Sequence, residues 1–190
     1  MSGLLDHLLK AVHSRATSGL DYVELRADDV LQTSIELRES AIESITRKFE
    51  RGHSARVLVS GRWGFATSDG MRDPKATIVE ASKAAKALSG GIDSDTGLCD
   101  VKPVRKDVRH KVRAPLDEIE LEDKVSYLTS ICQGVVKADP RMTTTKASYM
   151  DITGDRALVT SDGAVVRTAV SHAYLMTVSS GKAPGLPVSV

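Results

Sequence analysis

The stretch that most narrows what this chain can fold into is Ala55-Arg56-Val57-Leu58-Val59-Ser60-Gly61-Arg62-Trp63-Gly64-Phe65-Ala66-Thr67. Two β-rich runs flank Ser60-Gly61, a dipeptide suited to the left-handed backbone of a tight turn, so the pattern predicts an antiparallel hairpin. Gly64 falls inside the second run. There it either lowers strand propensity or permits another backbone to come close.

Other strands and helices surround this hairpin. Leu4, Leu5, Leu8, Leu9, Val12 and Ala16 recur at helical spacing and Gly19 follows as a C-cap, which predicts a helix over about residues 3 to 18. The period then changes to two, with Val23, Leu25 and Ala27 alternating with Tyr22, Glu24 and Arg26; Asp28-Asp29 reads as a turn. Ile35 and Leu37, then Ile42 and Ile45, continue as short meander strands. Asp73-Pro74 reads as an N-cap with Pro at the first helical position, opening a small-residue helix over 74–89 that Gly90-Gly91 stops. Residues 91–116 lose periodicity and read as a linker or excursion with a possible short strand near Val108 to Val112. Leu121, Val125, Leu128, Cys132 and Val135 restore helical spacing up to Asp139-Pro140. Strands follow over Thr143 to Ile152, Arg156 to Thr160 and Ala164 to Val178, with turns expected at Thr153-Gly154-Asp155 and Asp162-Gly163.

The order is helix, five strands, helix, linker, long helix, three strands, which predicts an α+β fold with an antiparallel or mixed sheet. The division expected along the chain is a first α+β unit over 1–90, a linker over 91–116, a second helix-plus-meander unit over 117–180, and a Gly- and Pro-bearing tail over 181–190.

Composition removes several classes of function. In 190 residues, 26 Lys and Arg face 25 Asp and Glu, and a net charge of +1 leaves no overall field to hold a nucleic acid or an anionic membrane. Aromatic residues are 4% of the chain and Trp63 is the sole tryptophan, which disfavours base-stacking platforms. Cys99 and Cys132 are too few for a disulfide scaffold and fit no zinc spacing, so a reducing compartment is the natural reading. Met1 to Lys10 has no basic leader, and Asp6, His7 and Lys10 break its apolar run. With no long apolar stretch to span a membrane, the expected location is the cytoplasm.

Local chemistry does not specify a reaction. His7, His13, His53, His110 and His172 include no pair at the three- or four-residue spacing that puts two metal ligands on one helix face. His53 and His172 lie in strand patterns, where one face can be buried. Ser179-Ser-Gly-Lys182-Ala183-Pro184 mimics a phosphate loop, but it lacks the earlier glycine, has Ala183 where a metal-binding hydroxyl belongs, and places Pro184 where a helix should continue. The basic cluster Lys102, Arg105, Lys106, Arg109, Lys111 and Arg113 has no interleaved aromatic residue and reads as a solvated linker in preference to a nucleic-acid contact. Asp28-Asp29 and Glu122-Asp123 fall where a turn and a first helical turn want acids.

Taken in order, Asp21-Tyr22-Val23-Glu24-Leu25-Arg26, the Glu39-to-Ile45 strand turn and Gly52-His-Ser-Ala-Arg56 through Gly61-Arg-Trp-Gly64-Phe-Ala-Thr-Ser68 resemble the N-terminal domain of the TldD/PmbA family. Leu121-Glu-Asp-Lys124 opening a helix, Asp139-Pro140-Arg141 closing it, and Thr160-Ser-Asp-Gly163 in a hairpin agree with that resemblance. The family, also called modulator of DNA gyrase, consists of cytoplasmic zinc metallopeptidases implicated in peptide maturation and proteolysis. Its catalytic members carry a His-Glu-x-x-x-His helix and a cysteine ligand downstream of the matched region. This sequence contains no His-Glu-x-x-x-His. A hydrolytic zinc needs three protein ligands, an open position and a base, so the resemblance implies no catalytic or metal residue here and no cofactor in this chain, with zinc in the complete enzyme.

The resemblance further implies a dimer, of identical subunits or with a TldD/PmbA paralogue, that encloses an unfolded peptide. The hairpin residues Arg56, Arg62, Trp63 and Phe65 are the candidate peptide-guiding surface, since extended peptides can add to sheet edges. The expected function is the non-catalytic N-terminal portion of such a peptidase, inactive alone, leading to an absent catalytic domain. The alternative is a metal-free binding or regulatory partner of a catalytic subunit.

Overall fold

A computed structural model describes residues 2–70, 72–88, 97–109, 111–183 and 186–189. The chain opens with helix α1 (Ser2–Val12) and a short 3-10 turn at Arg15–Thr17, capped by the Ser14 hydroxyl, which accepts the Ala16 N–H. Gly19 then takes a left-handed φ of 73° and releases the chain into strands β1 (Tyr22–Arg38), β2 (Ala41–Val59) and β3 (Arg62–Asp69). Helix α2 (Pro74–Ala87), strand β4 (Arg105–Val108), helix α3 (Leu121–Ala138) and strands β5 (Met142–Thr160), β6 (Val165–Ala183) and β7 (Leu186–Ser189) complete it.

The strands form one sheet in the order β3-β2-β1-β5-β6-β4, with β7 paired to β6. β2 and β3 run antiparallel, as do β6 and β7, whereas β4 runs parallel to β6; the sheet is mixed and the fold α+β. The Ser161 N–H reaches the Val23 carbonyl and the Glu39 N–H reaches the Thr145 carbonyl, so β1 and β5 also pair antiparallel.

Where five short strands were expected before α2, three long ones occur. Asp28-Asp29 does not turn the chain: both residues lie within β1, Asp28 paired with Arg156 at 2.9 Å and Asp29 with Arg51 at 2.9 Å. Thr153-Gly154-Asp155 likewise lies inside β5, where a Cβ on Gly154 would sit 2.2 Å from the Asp29 carbonyl oxygen. Glycine is required there by the neighbouring strand and not by a turn. The actual first turn is Glu39-Ser40, both at positive φ. Residues 186–189 return as a strand where a connecting tail was expected.

Contacts divide the chain into two compact units that cut across the linear order, because strands of 17 to 19 residues contribute to both. The first comprises 1–30, 50–109 and 154–170. Its core joins Leu8 and Val12 of α1, Val23 and Leu25 of β1, Ala55 and Val57 of β2, Ile78, Ala81 and Ala85 of α2, and Val159 of β5. Removing each large aliphatic side chain from water contributes about 1.5–3 kcal/mol. The second comprises 31–49, 110–153 and 171–190. Its apolar cluster is smaller: Ile35 and Leu37 of β1, Leu128 and Cys132 of α3, and Ala147 of β5, with Leu121, Val125 and Tyr149 against it.

Candidate functional site

In the first unit the β2–β3 hairpin turns at Ser60 (φ 48°) and Gly61 (φ 73°), consecutive left-handed residues of the kind a two-residue loop between twisted strands prefers. The Asp21 carboxylate accepts the Ser60 N–H at 2.6 Å, and the Asp21 N–H donates to the Leu58 carbonyl at 2.9 Å, which fixes the turn to the start of β1.

Register assigns the faces, because residues opposite one another across a ladder point the same way. Val57 opposes Gly64, and both face α2. A Cβ at Gly64 would stand 1.9 Å from the Ala81 carbonyl oxygen and 2.6 Å from the Ala85 nitrogen. Gly64 therefore lets the strand and helix backbones touch, the close approach that its place in the run suggested.

Arg56 opposes Phe65 and Leu58 opposes Trp63, so Arg56, Trp63 and Phe65 share the face away from α2. Arg62 opposes Val59 and lies on the α2 face, apart from the other three. The Arg56 guanidinium carbon stands 3.8 Å from the centre of the Trp63 ring, and Tyr22 meets the same ring edge-on at 5.9 Å between centroids. The Glu24 carboxylate accepts the Tyr22 hydroxyl at 3.4 Å and Arg26 Nε at 2.7 Å. Burial, then the negative charge of Glu24, pushes the Tyr22 phenol up to about 12, so it stays protonated at neutral pH. Phe65 is 62% exposed beside this cation-π pair. The face combines a fixed cation, an aromatic ledge and a free phenyl ring.

His53, on the α2 face of β2, is buried and its Nε2 lies 2.8 Å from Thr77 Oγ1 of α2. Burial lowers its imidazole below the ordinary histidine value, only partly offset by a hydrogen bond to the Gly70 backbone. With Lys10, His7, Arg72 and Lys75 it borders a 340 Å³ groove whose Asp73 caps α2 by accepting the Lys75 N–H at 3.1 Å. His172 is exposed on β6, and His110 lies outside the described residues.

The second unit holds a site that the sequence reading missed. Lys124 Nζ donates to Asp151 Oδ2 at 2.6 Å and to the Leu116 carbonyl at 2.8 Å, and the Tyr149 hydroxyl donates to the same Asp151 oxygen at 2.7 Å. The lysine and aspartate side chains are 8% and 2% exposed. Burial, reinforced by the Asp151 carboxylate, raises the Tyr149 phenol far above its ordinary value. Two signals pointed here: Lys124 occupies a position on the Leu121–Leu128 stripe of α3, and Asp151 falls on an inward position of β5. A buried cation on one element requires a buried anion on another.

Among the described residues no group of three or more His, Cys, Asp or Glu side chains is placed to hold a metal ion. Cys99 is exposed and Cys132 is buried among apolar side chains. Among the described residues, the side chains do not fit a hydrolytic metal and no helix is long and apolar enough to cross a membrane.

Comparison with known proteins connects both units to one family. The chain matches the family model of the PmbA/TldA metallopeptidase domain 1 over residues 23–89 and that of the PmbA/TldA metallopeptidase central domain over residues 114–185. A metalloprotease of Methanocaldococcus jannaschii is 23% identical over 157 residues, covering 82% of this chain and 34% of that protein. A metalloprotease of Synechocystis is 26% identical over 153 residues, covering 80% and 32%. The chain thus spans about a third of the length of these curated relatives. The crystal structure of TldE from Thermococcus kodakarensis shares the fold, with a TM-score of 0.76 at 16% identity, covering 97% of this chain and 41% of that one. By its two matched domains, this chain belongs to the PmbA/TldD metallopeptidase family.

Proposed function

We propose that this chain serves as the non-catalytic, N-terminal portion of a TldD/PmbA-type zinc metallopeptidase of the cytoplasm, one that acts in peptide maturation or proteolysis. The observation that carries the reading is the match to domain 1 and the central domain of a metallopeptidase family without any cluster of metal-holding side chains among the described residues. Zinc and the hydrolytic residues then belong to a part of the enzyme that this sequence lacks. The chain's own contribution is to flank and confine an unfolded peptide, within a dimer of identical subunits or with a TldD/PmbA paralogue.

The guiding surface is the β2–β3 hairpin. Among the described residues β3 is the last strand on its side of the sheet, and such an edge can accept an extended peptide backbone. Arg56, Trp63 and Phe65 would flank a peptide on one side and Arg62 on the other. In a test, the purified chain is assayed for bound zinc and for cleavage of an unfolded peptide, with and without a chelator. Neither zinc nor cleavage is expected, and stoichiometric zinc with chelator-sensitive hydrolysis would overturn the reading. The same missing cluster favours a second reading, in which the chain is a metal-free partner or regulator of a catalytic TldD-type subunit. Co-elution with such a subunit, and a change in its peptidase rate, would separate the second reading from the first.

A further inference from the structure

We infer that the outer edge of β6 over Ser171–Ser179 is a second polypeptide-binding slot, filled by a short, extended, uncharged segment of another chain that adds as a strand. This goes beyond the guide hairpin, which lies on β2 and β3. β6 is bordered by β5 on one side; the Lys182 N–H donates to the Arg141 carbonyl at the start of β5. The opposite edge carries β4 over Val165 to Thr168 and β7 over Ser180 to Ala183. Among the described residues, no strand pairs with that edge between Ser171 and Ser179. Its backbone donors and acceptors are the natural complement of an incoming strand.

The side chains distinguish this edge from the start of β2. Among the described residues the β2–β3 register begins at Gly52, and the stretch of β2 before it carries Glu43, Arg47 and Lys48, charges of the kind that discourage strand pairing. The β6 stretch Ser-His-Ala-Tyr-Leu-Met-Thr-Val-Ser contains no Asp, Glu, Lys or Arg. It instead exposes Tyr174 (59%), Leu175 (47%), Met176 (59%) and Val178 (46%), apolar residues on both faces of the strand. An unguarded edge with apolar flanks binds a partner whose side chains also alternate without charge.

The neighbouring strand excludes the simplest occupant. If a second copy paired β6 against β6, its strand would continue past Ser179 into the place that β7 holds, because β6 is 19 residues long. A short free segment ends before reaching β7, so the slot selects an extended peptide over a folded sheet.

A fluorescein-labelled, end-blocked Thr-Val repeat octapeptide, titrated with the full chain and followed by anisotropy, tests the slot. By the alternation that turns the Lys182 N–H toward β5, the Leu175 N–H points outward. Saturable binding is expected. N-methylation of the peptide's central amides should weaken it by about tenfold or more, since each backbone hydrogen bond lost costs up to about tenfold. Leu175→Pro and, independently, Met176→Lys should weaken it similarly, while Val79→Ser, at an exposed position of α2, leaves it unchanged. Met176→Lys alters only an exposed side chain and decides the matter if Leu175→Pro misfolds. Three results would each overturn the inference: no saturable binding, equal binding of the N-methylated peptide, or a dimer that Met176→Lys converts to monomer. An effect of Phe65→Ser alone would support the guide hairpin and remove the slot.

Discussion

The two units join helix to sheet in opposite ways. In the first, α2 lies so close that Gly64 has no room for a methyl group against Ala81 and Ala85, and the surrounding core is aliphatic. In the second, α3 meets its strands through a smaller apolar cluster and the buried Lys124–Asp151 pair, with Tyr149 and the Leu116 carbonyl completing the hydrogen bonds. Close apolar packing stabilises without depending on any one partner. A buried pair fixes register but leaves each charge dependent on the other.

The largest predicted effect exploits that dependence. Asp151→Ala strands the Lys124 ammonium and should lower stability by about 3–5 kcal/mol in urea denaturation. The double variant Lys124→Met with Asp151→Leu should recover most of that loss, because an apolar pair of similar size requires no desolvated charge. If the single and double variants cost the same, the pair is no more than local packing and the contrast between the units fails.

Glycine substitutions sharpen the comparison next. Gly64→Ala pushes a Cβ into backbone atoms of α2 and should cost about 1–3 kcal/mol or more. Gly134, inside α3, has nothing within 4 Å of its would-be Cβ, so Gly134→Ala should stabilise by about 0.4–1 kcal/mol. Opposite signs at the two helices, read from chemical-denaturation midpoints, are the expected outcome.

How much of this was legible in the sequence follows from the range of each interaction. The Ser60-Gly61 turn, the Asp73-Pro74 helix start and the Asp139-Pro140 helix stop are set by a few adjacent residues, and all three stand where the pattern put them. Asp28-Asp29 misled because the same two carboxylates suit a turn or cross-strand ion pairs, and Arg156 and Arg51 are far away in the chain. Gly154 misled for the same reason: its cause is the Asp29 carbonyl on another strand. Lys124 and Asp151 stand 27 residues apart, and neither identifies the other without the fold. Of the four hairpin residues proposed together, three share a face; Arg62 does not, as simple alternation from Trp63 already implies.

A smaller, pH-dependent effect belongs to the first unit alone. The His53 imidazole is held below its unfolded value, chiefly by burial. Its contribution to stability is therefore complete above the unfolded value of about 6.5 and is lost as pH falls through the lower folded value, because the unfolded chain takes up the proton first. His53→Gln, which keeps a hydrogen-bonding group near Thr77, should flatten the decline in melting temperature on acidification from neutral pH. An unchanged slope would assign the acid sensitivity to other groups.

The smallest effect concerns the surface proposed to meet a peptide, and the fact that Trp63 is the only tryptophan makes it measurable. Arg56 is exposed, so its cation-π contact at 3.8 Å should contribute only about 0.5–1 kcal/mol. Arg56→Gln removes the cation while the edge-on Tyr22 contact and the Ser60-Gly61 turn continue to hold the hairpin. The intrinsic fluorescence of Trp63 should change in the folded state, with little shift in the denaturation midpoint. A large loss of stability would mean instead that Arg56 supports the first unit's fold, leaving the face with no cation free to meet a ligand. A fluorescence change without loss of stability is the signature of a preformed, weakly held surface, which a guide for varied unfolded peptides requires.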